Sequence, residues 1–473
     1  MLDPFLQIWY TNSQFEKKEE NVIMEKTVCE LFAGVGGFRC GLNSIKKIED
    51  TNKKEKWNTV WFSQWEPEKK KQWAHDCYVN RFGTSLDTNG KDTTNIDIAR
   101  VDKETIPNHN LLVGGFPCQD YSVARSLNNE RGINGKKGVL WWSIRDVINT
   151  KKPPFVLLEN VDRLLKSPSK QRGRDFGVML DCLNESGYTV EWRVINAAEY
   201  GFQQRRRRTY IFAYKNGTNY SNLIKTKTAY EIIQKDGFFA KSFPIDCFEE
   251  KKIRDIELSL DIVRVSDEFQ FGFENSGVMV DGHIYTVKTV PTSHKPIPLG
   301  DILQDNKKSV VDKKYYIAKE KLYYTYEDIH HSDETKEELP KEQRQTWQYL
   351  KGGKKKLRTA ATGHQYIFSE GPIPMIDEWD APARTMLTSE GSFNRSTHIV
   401  RDKMTNQIRI LTPIETERIQ GFPDDWTKEC LVDGERVPMP ERTRYFCMGN
   451  ALVVNLIEQM EKQLSEIFEN EKE

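Results

Sequence analysis

The chain carries no net charge: 70 Lys and Arg are matched by 70 Asp and Glu over 473 residues. That balance excludes a generally sticky polycation. It leaves a nucleic-acid partner open, because steering depends on where basic residues sit and not on their sum. Also missing is any run near the ~18 consecutive apolar residues of a membrane span, so none is expected. The opening stretch, Met1 to Asn21, has acids and aromatics where a signal peptide has a basic segment and an apolar one. No signal peptide is expected, and the protein is read as cytoplasmic. Cysteine is sparse: the residues at 29, 40, 77, 118, 182, 247, 430 and 447 form no C-x-x-C pair. A disulfide framework or structural zinc site is therefore not expected. There is no internal repeat.

What is present suits a soluble chain of two lobes. With 37 % hydrophobic and 30 % charged residues, wholesale disorder is excluded. After an extension over 1–25, TVCELF (27–32) reads as a buried strand running into AGVGGFRCGL, a glycine-rich turn that opens a helix. NTVWFSQW, ending at Glu66, is a second strand. LLVGGFPC (111–118) and PFVLLENV (154–161) are continuous apolar runs that stop at polar residues, as strands of a doubly covered parallel sheet do. Residues 26–215 are therefore expected to form a doubly wound α/β domain whose functional groups cluster at strand ends. From 216 to 400 the chain turns Lys- and Tyr-rich with weak periodicity, which predicts a smaller, irregular second lobe. Over 401–473 helical patterns return to close on the first domain, ending in an acidic tail.

Four clusters carry chemistry. In Phe32-Ala33-Gly34-Val35-Gly36-Gly37, glycines after a strand let a cofactor approach backbone amides at a helix start. Glu66 after the second strand is a candidate acceptor for ribose hydroxyls, and Asp97 for an adenine amino group. The pattern G-x-G-G is not the dinucleotide G-x-G-x-x-G, and such a turn also serves close packing. Pro117-Cys118-Gln119, at the end of an apolar strand, places a thiol where a nucleophile would be exposed; a buried structural cysteine is the plain alternative. Glu159 and Asn160 end the next strand, facing the same crevice, where a carboxylate can share or donate a proton; a helix-capping pair is the alternative. In Gln204-Arg205-Arg206-Arg207-Arg208, alternation sends Arg206 and Arg208 to one face and Arg205 and Arg207 to the other.

In this order, these residues resemble the cytosine-C5 DNA methyltransferase family. The resemblance covers about 26–215 and 401–457: FAGVGG is similar to its cofactor loop, GGFPCQ to its Pro-Cys motif, ENV to its substrate-protonating motif, and QRRRR to its Gln-x-Arg-x-Arg motif. RILTPIETERIQGFPDDW and GNALVVNL, with Asn450 and Ala451, are similar to its two closing motifs. The resemblance implies a Rossmann-like catalytic domain that binds S-adenosylmethionine and methylates cytosine in double-stranded DNA. It assigns Cys118, helped by Pro117, to attack C6, Glu159 to protonate N3, and Arg208 to the O2 side of the base, with Arg206 and Asn160 in the same group. It also implies flipping of the target base. The loop after Cys118, with Gly132, Gly135 and Gly138, is glycine-rich enough to close over an extruded base.

By the same resemblance, the lobe at 216–400 is the target-recognition region. Lys354 and Lys355 in KGGKKKLR suit phosphates. Arg384, Thr385 and Arg395, with Gln119 and Ser122, are side chains able to read base edges. Gln203 stands where the family usually has proline, and Ala451 where it commonly has serine. No metal ligand set is read. A single chain without chromatin-reading modules resembles the bacterial type II restriction-modification enzymes, which implies a monomer and a cognate restriction endonuclease that acts on the same site without a stable complex. Two rivals stay open: a tRNA cytosine-C5 methyltransferase, and a non-catalytic DNA-binding subunit of the same fold.

Overall fold

Four parallel strands form the part of the fold that the sequence advertises. In the computed structural model, which describes residues 23–67, 69–116, 140–168, 170–258, 268–304, 311–323, 345–359 and 363–472, these are β1 (Thr27–Leu31), β2 (Asn58–Ser63), β3 (Leu111–Gly115) and β4 (Phe155–Val161). They pair in the order β2-β1-β3-β4. Their centres are uniformly apolar because both faces are covered. On one face Val28 and Leu157 pack in a single cluster with Leu456, Ile457, Met460 and Phe468. On the other, Leu112 and Leu158 meet Trp141, Ile144, Phe176 and Met179. The covering helices are α1 (Gly37–Leu42), α2 (Trp73–Phe82), α3 (Leu140–Lys151) and α4 (Arg174–Glu185).

Beyond β4 the sheet reverses. β6 (Arg207–Lys215) runs antiparallel to β4, and β5 (Tyr188–Asn196) antiparallel to β6. β8 (Ser276–Val280), β9 (His283–Val287) and β7 (Arg254–Glu257) extend it, giving a nine-stranded sheet ordered β2-β1-β3-β4-β6-β5-β8-β9-β7. Past residue 216, where the second lobe was expected to begin, the chain still contributes strands to the central sheet up to Val287. Helices α5 (Asn219–Lys225) and α6 (Phe238–Ser242) lie on it, with Tyr220, Ile224 and Phe238 in the main core. The polar, loop-rich composition of this stretch masked strands that are short and near the sheet edge.

The second lobe has its own small core of Leu322, Trp347 and Ile399, joined by Leu350, Met375, Ile376, Ile408 and Ile410. It holds α7 (Trp347–Lys351), the hairpin β10 (Lys354–Thr359) and β11 (Gln365–Glu370), and the pair β12 (Ile399–Arg401) and β13 (Ile408–Ile410). Its end therefore lies past 400. Then comes α8 (Pro413–Gln420), whose start its sequence explains: Thr412 and Glu415 form a reciprocal capping box, with proline in the first turn and Gly421 closing the helix in the left-handed region. After the hairpin β14 (Glu429–Val432) and β15 (Glu435–Pro438), α9 (Glu441–Asn450) and α10 (Val454–Asn470) complete the fold. The acidic tail is not simply solvated. Glu461 is buried, accepting from Trp57 Nε1 at 3.0 Å, and Glu471 accepts from the backbone amides of Asn219 and Tyr220.

Candidate active site

The β1-to-α1 turn is built on left-handed backbone: Phe32, Gly34 and Gly36 have φ of 55°, 57° and 88°. A side chain at Gly34 would meet nothing within 4 Å, whereas one at Gly36 would strike Phe82, and one at Gly37 would crowd Leu452. Gly34 thus borders open space, and Gly36 and Gly37 serve close packing. Ala33 donates its amide to Ser63 O. Beneath the turn, the buried Glu30 carboxylate accepts from the Tyr78 hydroxyl at 3.0 Å. Burial nevertheless pushes its pKa up to about 7.

The expected adenosine-side acids sit differently from the sequence reading. β2 ends at Ser63, so Glu66 lies in the following loop, half-buried, its pKa raised by burial. Its backbone amide donates to Gln72 Oε1 at 2.7 Å. The residue that reaches the glycine turn is Gln64, whose Oε1 accepts from Gly34 N at 2.8 Å. Periodicity could have signalled this, since Gln64 directly follows the last strand residue. Asp97 accepts from Ala99 N at 3.0 Å and caps a short helical turn. Asn450 ends α9, exposed, beside half-buried Ala451. The closing segment also grips the turn, since Trp426 Nε1 donates to Val35 O at 2.8 Å.

At the C-terminal edge of β4, Glu159 pairs with Gly115 of β3. A Cβ on Gly115 would lie 3.2 Å from Glu159 Oε2, so glycine there leaves this oxygen room. The other oxygen, Oε1, is 2.9 Å from Arg208 Nε, and both side chains are largely buried. Asn160 is fully buried, and its Nδ2 donates to Phe116 O at 2.9 Å, tying β4 to the end of β3. Phe116 is the last described residue before Pro117. Pro117, Cys118, Gln119, Ser122 and the glycine loop after them lie outside the described residues. Across from Glu159, Tyr210 is buried with no hydrogen-bond partner among the described residues for its hydroxyl, which burial and the Glu159 charge hold strongly protonated.

The arginine run divides as alternation predicts: Arg205 and Arg207 are exposed and Arg206 is buried. Yet Arg206 does not join Arg208 at Glu159. Its guanidinium donates to Met386 O at 3.1 Å and to Gly449 O at 3.2 Å, so it ties β6 to the second lobe and to α9. Burial, then the charge of Arg208, pull its pKa down to about 9. Its hydrogen bonds thus run to carbonyls of distant segments and not to Glu159. The same strap is held by backbone bonds, Arg205 N to Ala383 O at 2.8 Å and Ala383 N to Gln203 O at 2.9 Å.

Of the expected DNA-reading residues, Arg384 is committed elsewhere. It pairs through Nε and Nη2 with Asp377 and donates to Ser396 O and Thr397 O, which leaves its fork engaged inside the lobe. Thr385 donates its hydroxyl to Arg205 O. Arg395 pairs with Glu370 at 2.9 Å and donates to Gly371 O. Lys354 donates to Leu350 O at 2.9 Å, while Lys355 is exposed. Short polar residues between turn signals gave no hint that these arginines were lobe-internal. Among the described residues no group of three His, Cys, Asp or Glu could hold a metal, and no helix is long and apolar enough to cross a membrane.

Comparison with known proteins converges. A family model described as C-5 cytosine-specific DNA methylase matches residues 26–466. The type II methyltransferase M.Sau3AI of Staphylococcus aureus is 47% identical over 444 residues, 93% of this chain and 95% of that protein. M.HhaI of Haemophilus parahaemolyticus is 31% identical over 41% of this chain and 50% of its own length. The crystal structure of a Spodoptera frugiperda DNMT2 mutant superimposes with a TM-score of 0.50 at 13% identity, covering 93% of this chain and 99% of that one, a likeness of fold.

Proposed function

The chain belongs to the C-5 cytosine-specific DNA methylases and methylates cytosine in DNA at C5; from that premise we propose which side chains do so. The reading is carried by the Arg208–Glu159 pair, set at the sheet edge beside Gly115. Cytosine C5 is a poor nucleophile, and its carbon lies inside the duplex, so the base must leave the stack. The Cys118 thiolate then adds to C6, and electron density moves toward N3 and C5. Once C5 has taken the methyl group, a base removes the C5 proton, so that the C6–S bond breaks and Cys118 leaves as thiolate. Glu159 supplies a proton at N3, with Oε2 free for the base while Arg208 fixes Oε1. Arg208 also faces O2, where its charge offsets the negative charge that develops on the ring. Asn160 and Arg206 act at one remove, by positioning.

The methyl donor is S-adenosylmethionine, which when bound supplies an electrophilic methyl group. The residues at the turn fit it. Gly34 opens onto free space, Phe32 and Ala33 flank it, and the Glu66 and Asp97 carboxylates offer acceptors on the adenosine side. Gln64 would share in shaping that side. Asn450 and Ala451 would line the opposite end.

As the relative named a type II methyltransferase suggests, the enzyme protects host DNA as the methylating half of a restriction-modification pair. It acts as a cytoplasmic monomer that shares a site with its endonuclease without a stable complex. Bisulfite sequencing of DNA from cells expressing the protein tests this directly. Modified cytosines should fall in one short sequence context, and Cys118→Ser should abolish them while sparing cofactor binding. Methyl transfer to tRNA but not to duplex DNA would overturn the reading.

A further inference from the structure

The β10–β11 hairpin has two unlike faces. Opposite residues of an antiparallel pair share a face, so the register sets Lys355, Leu357 and Thr359 with Ser369, Ile367 and Gln365. All of these are exposed. At the centre Leu357 and Ile367, directly opposed, are 66% and 70% accessible. The other face is anchored. Glu370 pairs with Arg395 at 2.9 Å, and the Arg358 guanidinium lies 3.6 Å from the Phe368 ring centroid, at a cleft of about 300 Å³ that Tyr349 and Phe393 also line. A ribbon fixed on one side thus presents a bare aliphatic pair ringed by one lysine and short polar side chains.

We propose that this face enters the major groove of the DNA substrate, and that Leu357 and Ile367 read a thymine methyl group at the recognition site. The proposal rests on the DNA-methylating reading above. Charge selects the occupant: Lys355 and Arg358 are exposed on the ribbon while its nearby acid, Glu370, is paired with Arg395, in a chain whose charges cancel overall. That suits a polyanion, whereas a second copy docking through the same face would set Lys355 near its own equivalent. Width selects the groove. Two strands about 4.8 Å apart, with side chains, fit a major groove roughly 12 Å wide and not a minor groove of roughly 6 Å. Chemistry selects the contact, since the thymine methyl is the one apolar group on a base edge in the major groove. Thr359, Gln365 and Ser369 stand beside it as hydrogen-bonding partners for neighbouring edges.

The hairpin is also linked to the chemistry. Arg395, its anchor, belongs to the segment whose Ala383, Thr385 and Met386 bond to Gln203, Arg205 and Arg206, two residues before Arg208. A correctly seated ribbon is therefore in register with the residue that holds Glu159.

The test uses the full-length enzyme, the site mapped by bisulfite sequencing, and the same duplex with deoxyuridine in place of thymine, which removes only the methyl groups. For the wild type, KM for the deoxyuridine duplex should rise about tenfold, the size of one lost base contact, with kcat within about twofold. The Leu357→Ser, Ile367→Ser double variant should show that raised KM on the ordinary duplex and no further rise with deoxyuridine. Because deoxyuridine alters only the DNA, the wild-type arm stands even if the variant folds poorly. A mapped site without thymine, a wild type indifferent to deoxyuridine, or a double variant as sensitive as the wild type each overturns the hairpin assignment. Absence of methyl transfer to any duplex DNA by the wild type would instead sink the underlying functional reading.

Discussion

Arg206 and Arg208 are two residues apart, yet their replacement should produce opposite kinds of damage. Arg206 is 2% exposed and makes two charge-assisted bonds, to Met386 O and Gly449 O. Such bonds contribute about 1.5–3 kcal/mol each. Part of this is offset by the burial that pulls the guanidinium pKa down to about 9. Replacing it with methionine relieves that penalty but leaves two buried carbonyls without donors, at about 1–3 kcal/mol each. The net loss is about 2–4 kcal/mol. For a chain of 473 residues melting as a unit, at about 2.1 cal/mol/K per residue the unfolding entropy is ~1 kcal/mol/K. Tm should therefore fall by only about 2–4 °C, which differential scanning calorimetry resolves. Methyl transfer at 20 °C or so, well below melting, should stay within about threefold. Arg208→Met removes the partner of Glu159 and should lower kcat about a hundredfold, the scale of one lost electrostatic stabiliser. If Arg206→Met instead lost turnover as deeply as Arg208→Met with an unchanged Tm, the positioning role argued for Arg206 would be wrong.

Other consequences are equally direct. Gly34→Ala forces a side chain into left-handed backbone and pushes a methyl group into the open space at the turn; calorimetric titration should show S-adenosylmethionine bound about tenfold more weakly, and an unchanged Kd would remove Gly34 from the cofactor site. Glu30, its pKa raised by burial to about 7, binds its proton more tightly folded than unfolded, so it contributes stability at low pH that is lost as pH rises through about 7. Tm of the wild type relative to Glu30→Gln should therefore decline between pH 5 and 8 or so, and parallel curves would contradict the buried, proton-holding Glu30. Affinity for duplex DNA should fall steeply with salt despite the zero net charge, and Lys355→Ala should flatten the log–log slope by about 1. An identical slope in that variant would mean Lys355 meets no phosphate.

The parallel half of the fold and the order of its strand-end motifs were legible in the sequence because each element is locally overdetermined. β3 and β4 are unbroken apolar runs covered on both faces, and α8 is announced by its capping box. The reversal at β6 was not, since nothing in RTYIFAYK distinguishes a parallel from an antiparallel neighbour; that choice lies in the connection between β5 and β6. Strands β7 to β9 escaped because their alternation is brief and interrupted. At the site, Glu159 and Arg208 pair at the sheet edge, but the contacts of Arg206 and Arg384 depended on carbonyls and carboxylates far away in sequence, Gly449 O and Asp377 among them. Gln64 was passed over because a carboxylate was sought at the end of β2.

Many of the charges that cancel in the total are enclosed by the same long-range pairing. Fully buried Arg409 bonds Asp402 and Glu415, Arg444 reaches buried Glu417, and Arg384 holds Asp377. Glu30, Glu461 and Glu471 are buried as well, Glu30 accepting from the Tyr78 hydroxyl, Glu461 from the Trp57 indole and the Lys56 ammonium, and Glu471 from backbone amides. Acids enclosed in this way count toward the total yet present little field to a ligand outside. At the β10–β11 hairpin the nearby acid, Glu370, is occupied by Arg395, while Lys355 and Arg358 remain at the surface. A polyanion approaching that ribbon meets uncompensated positive charge, whatever the sum over the chain. The groove-facing aliphatic pair then lies between groups that attract the backbone and groups able to read base edges. On the proposal above, electrostatics brings the duplex to the hairpin, and the short-range contacts of Leu357 and Ile367 supply sequence discrimination there.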